Sequence, residues 1–180
     1  GHGVPIFGAA RVRQALEDTA EWLESLVAQT LERMNAGETL DTILHEVKPP
    51  KHLAERPYLQ PVYDNPEFVV RNVWRLYGGW YDGIAAHLEP ALHATLGSEV
   101  AALAGGVDGL VRRARELAAA DDLRLACHLI DWAVAAEPEN AAAHGARAEI
   151  YKLRTQRSPA LMSKGVFGAA ARESAKKATP

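Results

Sequence analysis

Arg71 and Arg75 stand four residues apart, the spacing that puts two side chains on one face of a helix, and Trp74, Tyr77 and Tyr81 surround them. A planar guanidinium fork backed by phenolic hydroxyls suits an oxyanion. The same residues have a plainer use, in which Arg71 or Arg75 pairs with Asp64, Glu67 or Asp82 and stacks on an indole. The seven histidines offer less. No two stand in the H-x-H or H-E-x-x-H spacings that turn two imidazoles toward one ion, and a catalytic zinc site needs at least three protein ligands. The lone cysteine, Cys127, leaves no intrachain disulfide. It sits in the apolar run LACHLIDWAV and reads as a buried, inert thiol rather than a nucleophile. Asp82-Gly83 reads as a turn, and Asp121-Asp122 as a helix N-cap pair rather than metal ligands.

The elements that would carry these residues are helical almost throughout. Leu16, Ala20, Leu23, Val27, Leu31 and Met34 recur at three- and four-residue steps and draw one apolar stripe along a helix from about Arg11 to Ala36. Gly37 supplies its stop, and Thr39 caps a short run from Leu40 to Val47 that ends at Pro49-Pro50. A Pro- and Tyr-rich connection of weak periodicity follows to Asp64. Asn65 as cap and Pro66 at the first helical position then start a helix that continues to Tyr81. Phe68, Val69, Val73, Leu76 and Trp80 form one apolar face; Val70, Trp74, Tyr77 and Tyr81 form a second. Gly78-Gly79 either ends this helix or lets another backbone pass close. Ala85 to Ala94 reads as a loop or short helix, and Ser98 as the cap of a short helix ending at Gly105-Gly106.

From Val107 onward, Leu110, Ala114, Leu117, Ala126, Ile130, Ala133 and Pro138 match the offsets of a tetratricopeptide-like (TPR-like) helix pair. A shift of 34 residues lays Arg113, Ala114 and Leu117 over Arg147, Ala148 and Tyr151. About one and a half such units are visible, short of the ~3 that make an independent array. A further amphipathic helix, SPALMSKGVFGAAARES, and a polar tail from Lys176 follow. The expected fold is therefore all-α, about eight helices with a TPR-like pair in the second half.

Composition narrows the function classes. A net charge of −3 over 180 residues gives no basic footprint for nucleic acid. No run approaches the ~18 consecutive apolar residues of a membrane span. No secretory signal is visible, which leaves cytoplasm and periplasm both open.

The stretch RPYLQPVYDNPEFVVRNVWRLYGGWYDGIAAHLEPA holds two of the four Trp and four of the five Tyr. It resembles the central region of the alkyl sulfatases of the metallo-β-lactamase superfamily. The match centres on the Y-x-G-W/Y-x-D-G pattern, here Tyr77-Gly78-Gly79-Trp80-Tyr81-Asp82-Gly83. It departs where the family commonly has Gly-Asn-Pro-Ala and this chain has Gly83-Ile84-Ala85-Ala86. The opening GHGVPIFG is similar to the end of that family's catalytic domain, where a metal-ligand His precedes a Pro and a Gly. A Gly-His start is also what a cleaved affinity tag leaves.

The resemblance implies three regions: the end of a metallo-β-lactamase-like catalytic domain in residues 1–10, an all-α dimerisation domain over 11–175, and the tail 176–180. It implies a parent enzyme that cleaves sulfate esters at a two-metal zinc site. His2 would be that site's last ligand, and the His-x-His-x-Asp-His cluster that builds most of it is not in this chain. No cofactor is expected for the chain alone. Arg75, Tyr77 and Tyr81 become candidates for facing the sulfate group in the catalytic domain of the same protein. The expected partner is a second copy. The long first helix and Phe68, Val69, Val73, Trp74, Leu76 and Trp80 would bury their apolar faces against it, since two apolar faces exceed what one small core needs. The competing expectation is a free TPR-like interaction module with no enzymatic parent.

Overall fold

The first helix, α1, spans Ala9–Asn35 and stops as its glycine requires. Gly37 takes φ 79°, its N–H donates to Met34 O, and the Glu38 N–H donates to Arg33 O at 3.1 Å. This doubled closure satisfies two carbonyls that the helix end would otherwise strand. Thr39 caps α2 (Leu40–Glu46) by accepting from the Thr42 N–H. Asn65 caps α3 by accepting from the Glu67 N–H, with Pro66 at the first position. The computed structural model describes residues 4–178, and every regular element among them is helical.

α3 spans Pro66–Gly78 and stops three residues short of the expected Tyr81. Gly79, at φ 80° and ψ −143°, takes a backbone conformation that residues with a Cβ avoid. The indole N–H of Trp74 then donates to Tyr81 O at 3.0 Å and folds the chain back beneath the helix. The turn that follows closes without the family's Asn-Pro. Asp82 accepts from the Ile84 N–H at 3.0 Å, Gly83 has φ 89°, and a short 3-10 turn covers Ala85–His87. A Cβ on Gly83 would meet Thr39 Cα at 3.2 Å, so only glycine lets this turn lie against the start of α2. The Leu40 N–H donates to Asp82 O at 2.9 Å across the same contact. The core of this part is Leu26, Ile43, Leu44, Val47, Val70 and Trp74.

The chain divides into two compact units, the first ending at Pro90 and the second starting at Ala91, where the sequence reads as one all-α span. Every residue from 85 to 96 is exposed. The second unit holds α4 (His93–Leu103), α5 (Val107–Ala119), α6 (Leu123–Ala136), α7 (Ala141–Arg157) and α8 (Leu161–Lys177). Ser98 does not cap a helix. It lies inside α4 with its hydroxyl donating to Ala94 O at 3.0 Å, and Leu92 holds the cap position. A serine bonded back to the preceding turn is satisfied inside a helix, which is why the cap signal misleads here. Gly105-Gly106 does end α4: the Gly106 N–H donates to Ala101 O at 2.8 Å.

α6 is the spine of this unit, with Ala126, Ile130 and Ala133 fully buried and α4, α5 and α7 packed on it. Leu110, Ala114 and Leu117 of α5 are buried against it as the hairpin spacing demands. One repeat later the match loosens. Ala148 is half-buried, and the position equivalent to Leu110 is His144, buried with Nε2 on Pro138 O at 2.9 Å and Nδ1 by Ser174 Oγ at 3.1 Å. Asp122 caps α6 as expected, accepting from the Leu125 N–H. Asp121, at φ 64°, pairs with Arg157 at 3.4 Å. Lys176 and Lys177 form the last turn of α8 rather than a tail, where cations complement the helix's negative end.

Candidate functional site

The residues singled out for chemistry cluster at the end of α3, but the helix divides them. Val70, Val73 and Trp74 face inward and are buried in the chain's own core. Two of the expected interface residues, Val73 and Trp74, are thus already covered. Phe68 and Val69 are half-buried. Leu76, Tyr77 and Trp80 point outward at 75%, 63% and 77% exposure, and Tyr81 is half-buried. Arg71 and Arg75 are exposed, and neither forms an ion pair among the described residues. Their expected partner Asp82 is taken by His87, whose Nδ1 lies 2.5 Å from Oδ2. That contact and the Ile84 N–H hold the Asp82 carboxyl below the usual carboxylate range. What remains at the end of α3 is a free guanidinium beside a phenol and two large apolar side chains.

No metal can be built from this end. Among the described residues no three His, Cys, Asp or Glu side chains converge on one point. His2 lies outside the described residues. Cys127 is half-buried in α6, and burial, with Asp131 adding to it, pushes its thiol up to about 11, so it stays protonated at neutral pH.

A second feature lies on α1. Its expected apolar stripe is divided: Leu16 is 67% exposed, Leu23 41% and Ala20 exposed too, while Val27, Leu31 and Met34 are half-buried, Met34 against the core. The buried face, offset by one residue or roughly 100°, carries Ala15, Asp18, Leu26 and Thr30, with Trp22 packed at its edge. Polar residues point inward because they have built-in partners. Thr30 donates to Leu26 O at 2.6 Å, and the Asp18 carboxylate accepts from Tyr58 Oη at 2.5 Å, Gln14 Nε2 at 2.5 Å and Arg56 Nε at 3.0 Å. This carboxylate ties the Pro- and Tyr-rich connection to α1. Between them opens a groove of about 1070 Å³ walled by Trp22, Leu23, Tyr58, Val62, Tyr63 and Val69. Sequence periodicity missed it because the 57–63 connection has none. Its signal was composition, two Tyr and two Pro in seven residues.

The Tyr58 hydroxyl, then Gln14 and Arg56, lower the Asp18 pKa below its ordinary 3.8 against the opposing effect of burial. A depressed folded-state pKa means that the network's contribution is complete above the unfolded value and is lost as pH falls through the folded one. Urea midpoints measured from pH 6 down to pH 3 are therefore expected to fall in the native chain. Asp18→Asn should start lower and decline less, and parallel curves would remove Asp18 from the acid response.

The comparisons with known proteins agree with this architecture. Residues 39–177 match the alkyl sulfatase dimerisation family. A linear primary-alkylsulfatase of Pseudomonas sp. (strain ATCC 19151) is 30% identical over 152 residues, which is 84% of this chain and 29% of that protein. An (R)-specific secondary-alkylsulfatase of Pseudomonas sp. is 32% identical over 149 residues, 82% of this chain and 22% of that protein. The solved structure of the stereoselective inverting sec-alkylsulfatase Pisa1 from Pseudomonas sp. superposes with a TM-score of 0.88 at 28% identity, covering 99% of this chain and 28% of the other. The chain thus spans under a third of the relatives it matches. With helices, caps and core in place over the matched residues, the chain belongs to the alkyl sulfatase dimerisation family.

Proposed function

We propose that this chain joins two copies of an alkyl-sulfatase-like metallohydrolase, and that the outward stripe of α1 is its main contact. The carrying observation is that α1 turns Leu16 and Leu23 to solvent and Asp18 inward. A helix that met only water on that side would gain nothing from exposing Leu16 at 67% and Leu23 at 41%. Sedimentation equilibrium at micromolar concentration should give twice the 19.5 kDa chain mass. A monomer at all concentrations up to ~100 μM, weaker than a specific interface of standard size, removes the reading. A free adaptor built on the TPR-like pair α5–α6 has no comparable observation behind it.

The parent protein, on this reading, hydrolyses sulfate esters of alkyl alcohols. Its zinc would be held by residues other than those at positions 4–178, so no step of the reaction is assigned to side chains described here. A supporting role is open to the end of α3. Arg75 and Tyr77 are both exposed and uncommitted, and a guanidinium with a phenol can bind a sulfate oxygen of a neighbouring domain's substrate. Tyr81, half-buried beneath them, would position the turn. In the full-length enzyme Arg75→Ala is expected to lower sulfatase turnover by about 100-fold, the usual loss when one oxyanion donor is removed. Unchanged turnover would take Arg75 out of the site.

A further inference from the structure

α4 is apolar on two sides and covered on one. Over His93–Leu103 it carries a single acid, Glu99, and no Lys or Arg. Gly97 and Ala101 are buried, and the Cβ position of Gly97 lies 2.8 Å from Trp132 O of α6. On the far side, roughly 140° round the helix, Leu92, Leu96 and Leu103 are 72%, 43% and 89% exposed. A helix that is apolar on most sides is one that is buried on most sides. Within one copy, α4 is not.

The spacing of the exposed stripe indicates what covers it. Leu92, Leu96, Glu99 and Leu103 follow one another by four, three and four residues, the step of a helix-pair seam. The series reads the same from either end, which suits a two-fold axis, where one patch meets its own copy. With two copies of α4 antiparallel about an axis at the middle of the stripe, Leu92 of each stands opposite Leu103 of the other, and Leu96 opposite Glu99. We propose that α4 pairs in this way with α4 of a second copy, through Leu92, Leu96 and Leu103. The residues matched to the dimerisation family, 39–177, contain α4 and begin beyond α1, so a second copy is the partner and α1 does not supply the whole of its contact. Glu99 is exposed and lies at one edge of the stripe, where its carboxylate keeps its water. Three turns of helix cover less than an interface of standard size, so the α4 contact adds to the one through α1 rather than replacing it. The inference rests on self-association and goes beyond its α1 contact.

Two measurements on the full 180-residue chain test it. Sedimentation velocity over a concentration series should show Leu103→Asp weakening self-association by at least ~10-fold with the far-UV CD spectrum unchanged. In a Cys127→Ala background, Leu92→Cys and Leu103→Cys chains, mixed and oxidised, should form a disulfide-linked dimer on non-reducing electrophoresis. Neither variant alone should do so, because the antiparallel pair holds like positions about 16 Å apart along the helix. A native chain whose association ignores Leu103→Asp, with no cross-link in the mixture and a Leu103→Cys thiol open to maleimide, overturns the α4 contact and leaves self-association to α1. Leu92→Cys or Leu103→Cys cross-linking to itself overturns it as well. A native chain that stays monomeric throughout the series removes both the α4 contact and the self-association beneath it.

Discussion

Leu16→Asp is expected to turn the proposed dimer into a monomer while leaving the helices intact. Leu16 is 67% exposed within one copy, belongs to the exposed part of the stripe and does not line the groove. Its burial is worth about 1.5–3 kcal/mol where the partner covers it fully. Two-fold symmetry doubles the loss, because every variant dimer carries two substitutions. The aspartate adds a carboxylate that must be stripped of water with no cation designed to meet it. The sum corresponds to a rise in Kd of at least ~1,000-fold. The folded monomer should not notice, since the replaced side chain already faces water and α1 is held by Asp18, Leu26 and Thr30 on its other face. Sedimentation equilibrium with far-UV CD separates the outcomes. A variant that still sediments as a dimer places the interface away from α1, and a variant that loses helix shows Leu16 to be part of the monomer fold.

Local backbone chemistry was legible in the sequence wherever a single residue decides the geometry. Gly37, Thr39, Asn65-Pro66, Gly105-Gly106 and Asp122 each mark an element end because each satisfies a stranded backbone group or takes a dihedral that others avoid. Facing was less legible. The regular apolar residues of α1 mark a stripe but do not say that Leu16 and Leu23 face solvent while Val27, Leu31 and Met34 are half-buried. The inward face escaped notice because Asp18 and Thr30 look like solvent residues until Tyr58, Arg56 and Leu26 O are placed against them. Distance along the chain is the obstacle, since Asp18 and Tyr58 are 40 residues apart. The same limit governs α3. Its composition announces two apolar faces, yet only the tertiary structure shows that Val73 and Trp74 serve the chain's own core while Leu76, Tyr77 and Trp80 remain outside. Ser98 shows the reverse error, in which a local signal is real but is satisfied by Ala94 O within a helix already under way.

Gly97→Val is expected to destabilise the second unit by about 3 kcal/mol, and the reason is backbone contact rather than backbone freedom. Gly97 is buried in the middle of α4, where glycine ordinarily costs about 1 kcal/mol relative to alanine. It is tolerated because α4 rests on α6 at that point. A Cβ there would stand 2.8 Å from Trp132 O, 3.2 Å from Ala135 Cβ and 3.3 Å from Ala136 N. The carbonyl oxygen belongs to a helix whose own hydrogen bonds fix it, so the strain cannot be relieved by turning a side chain. Gly97→Ala gains helix propensity and loses packing, for a net loss of about 1–2 kcal/mol. Valine adds two methyl groups and restricted rotamers to the same collision. Gly165 supplies the opposite case inside α8: nothing lies within 4 Å of its Cβ position, so Gly165→Ala should stabilise by up to ~1 kcal/mol. Urea unfolding followed by far-UV CD should therefore rank Gly165→Ala above the native chain, and Gly97→Ala and then Gly97→Val below it. Two glycines in two helices, given the same substitution, move stability in opposite directions because only one of them is the point where two backbones meet.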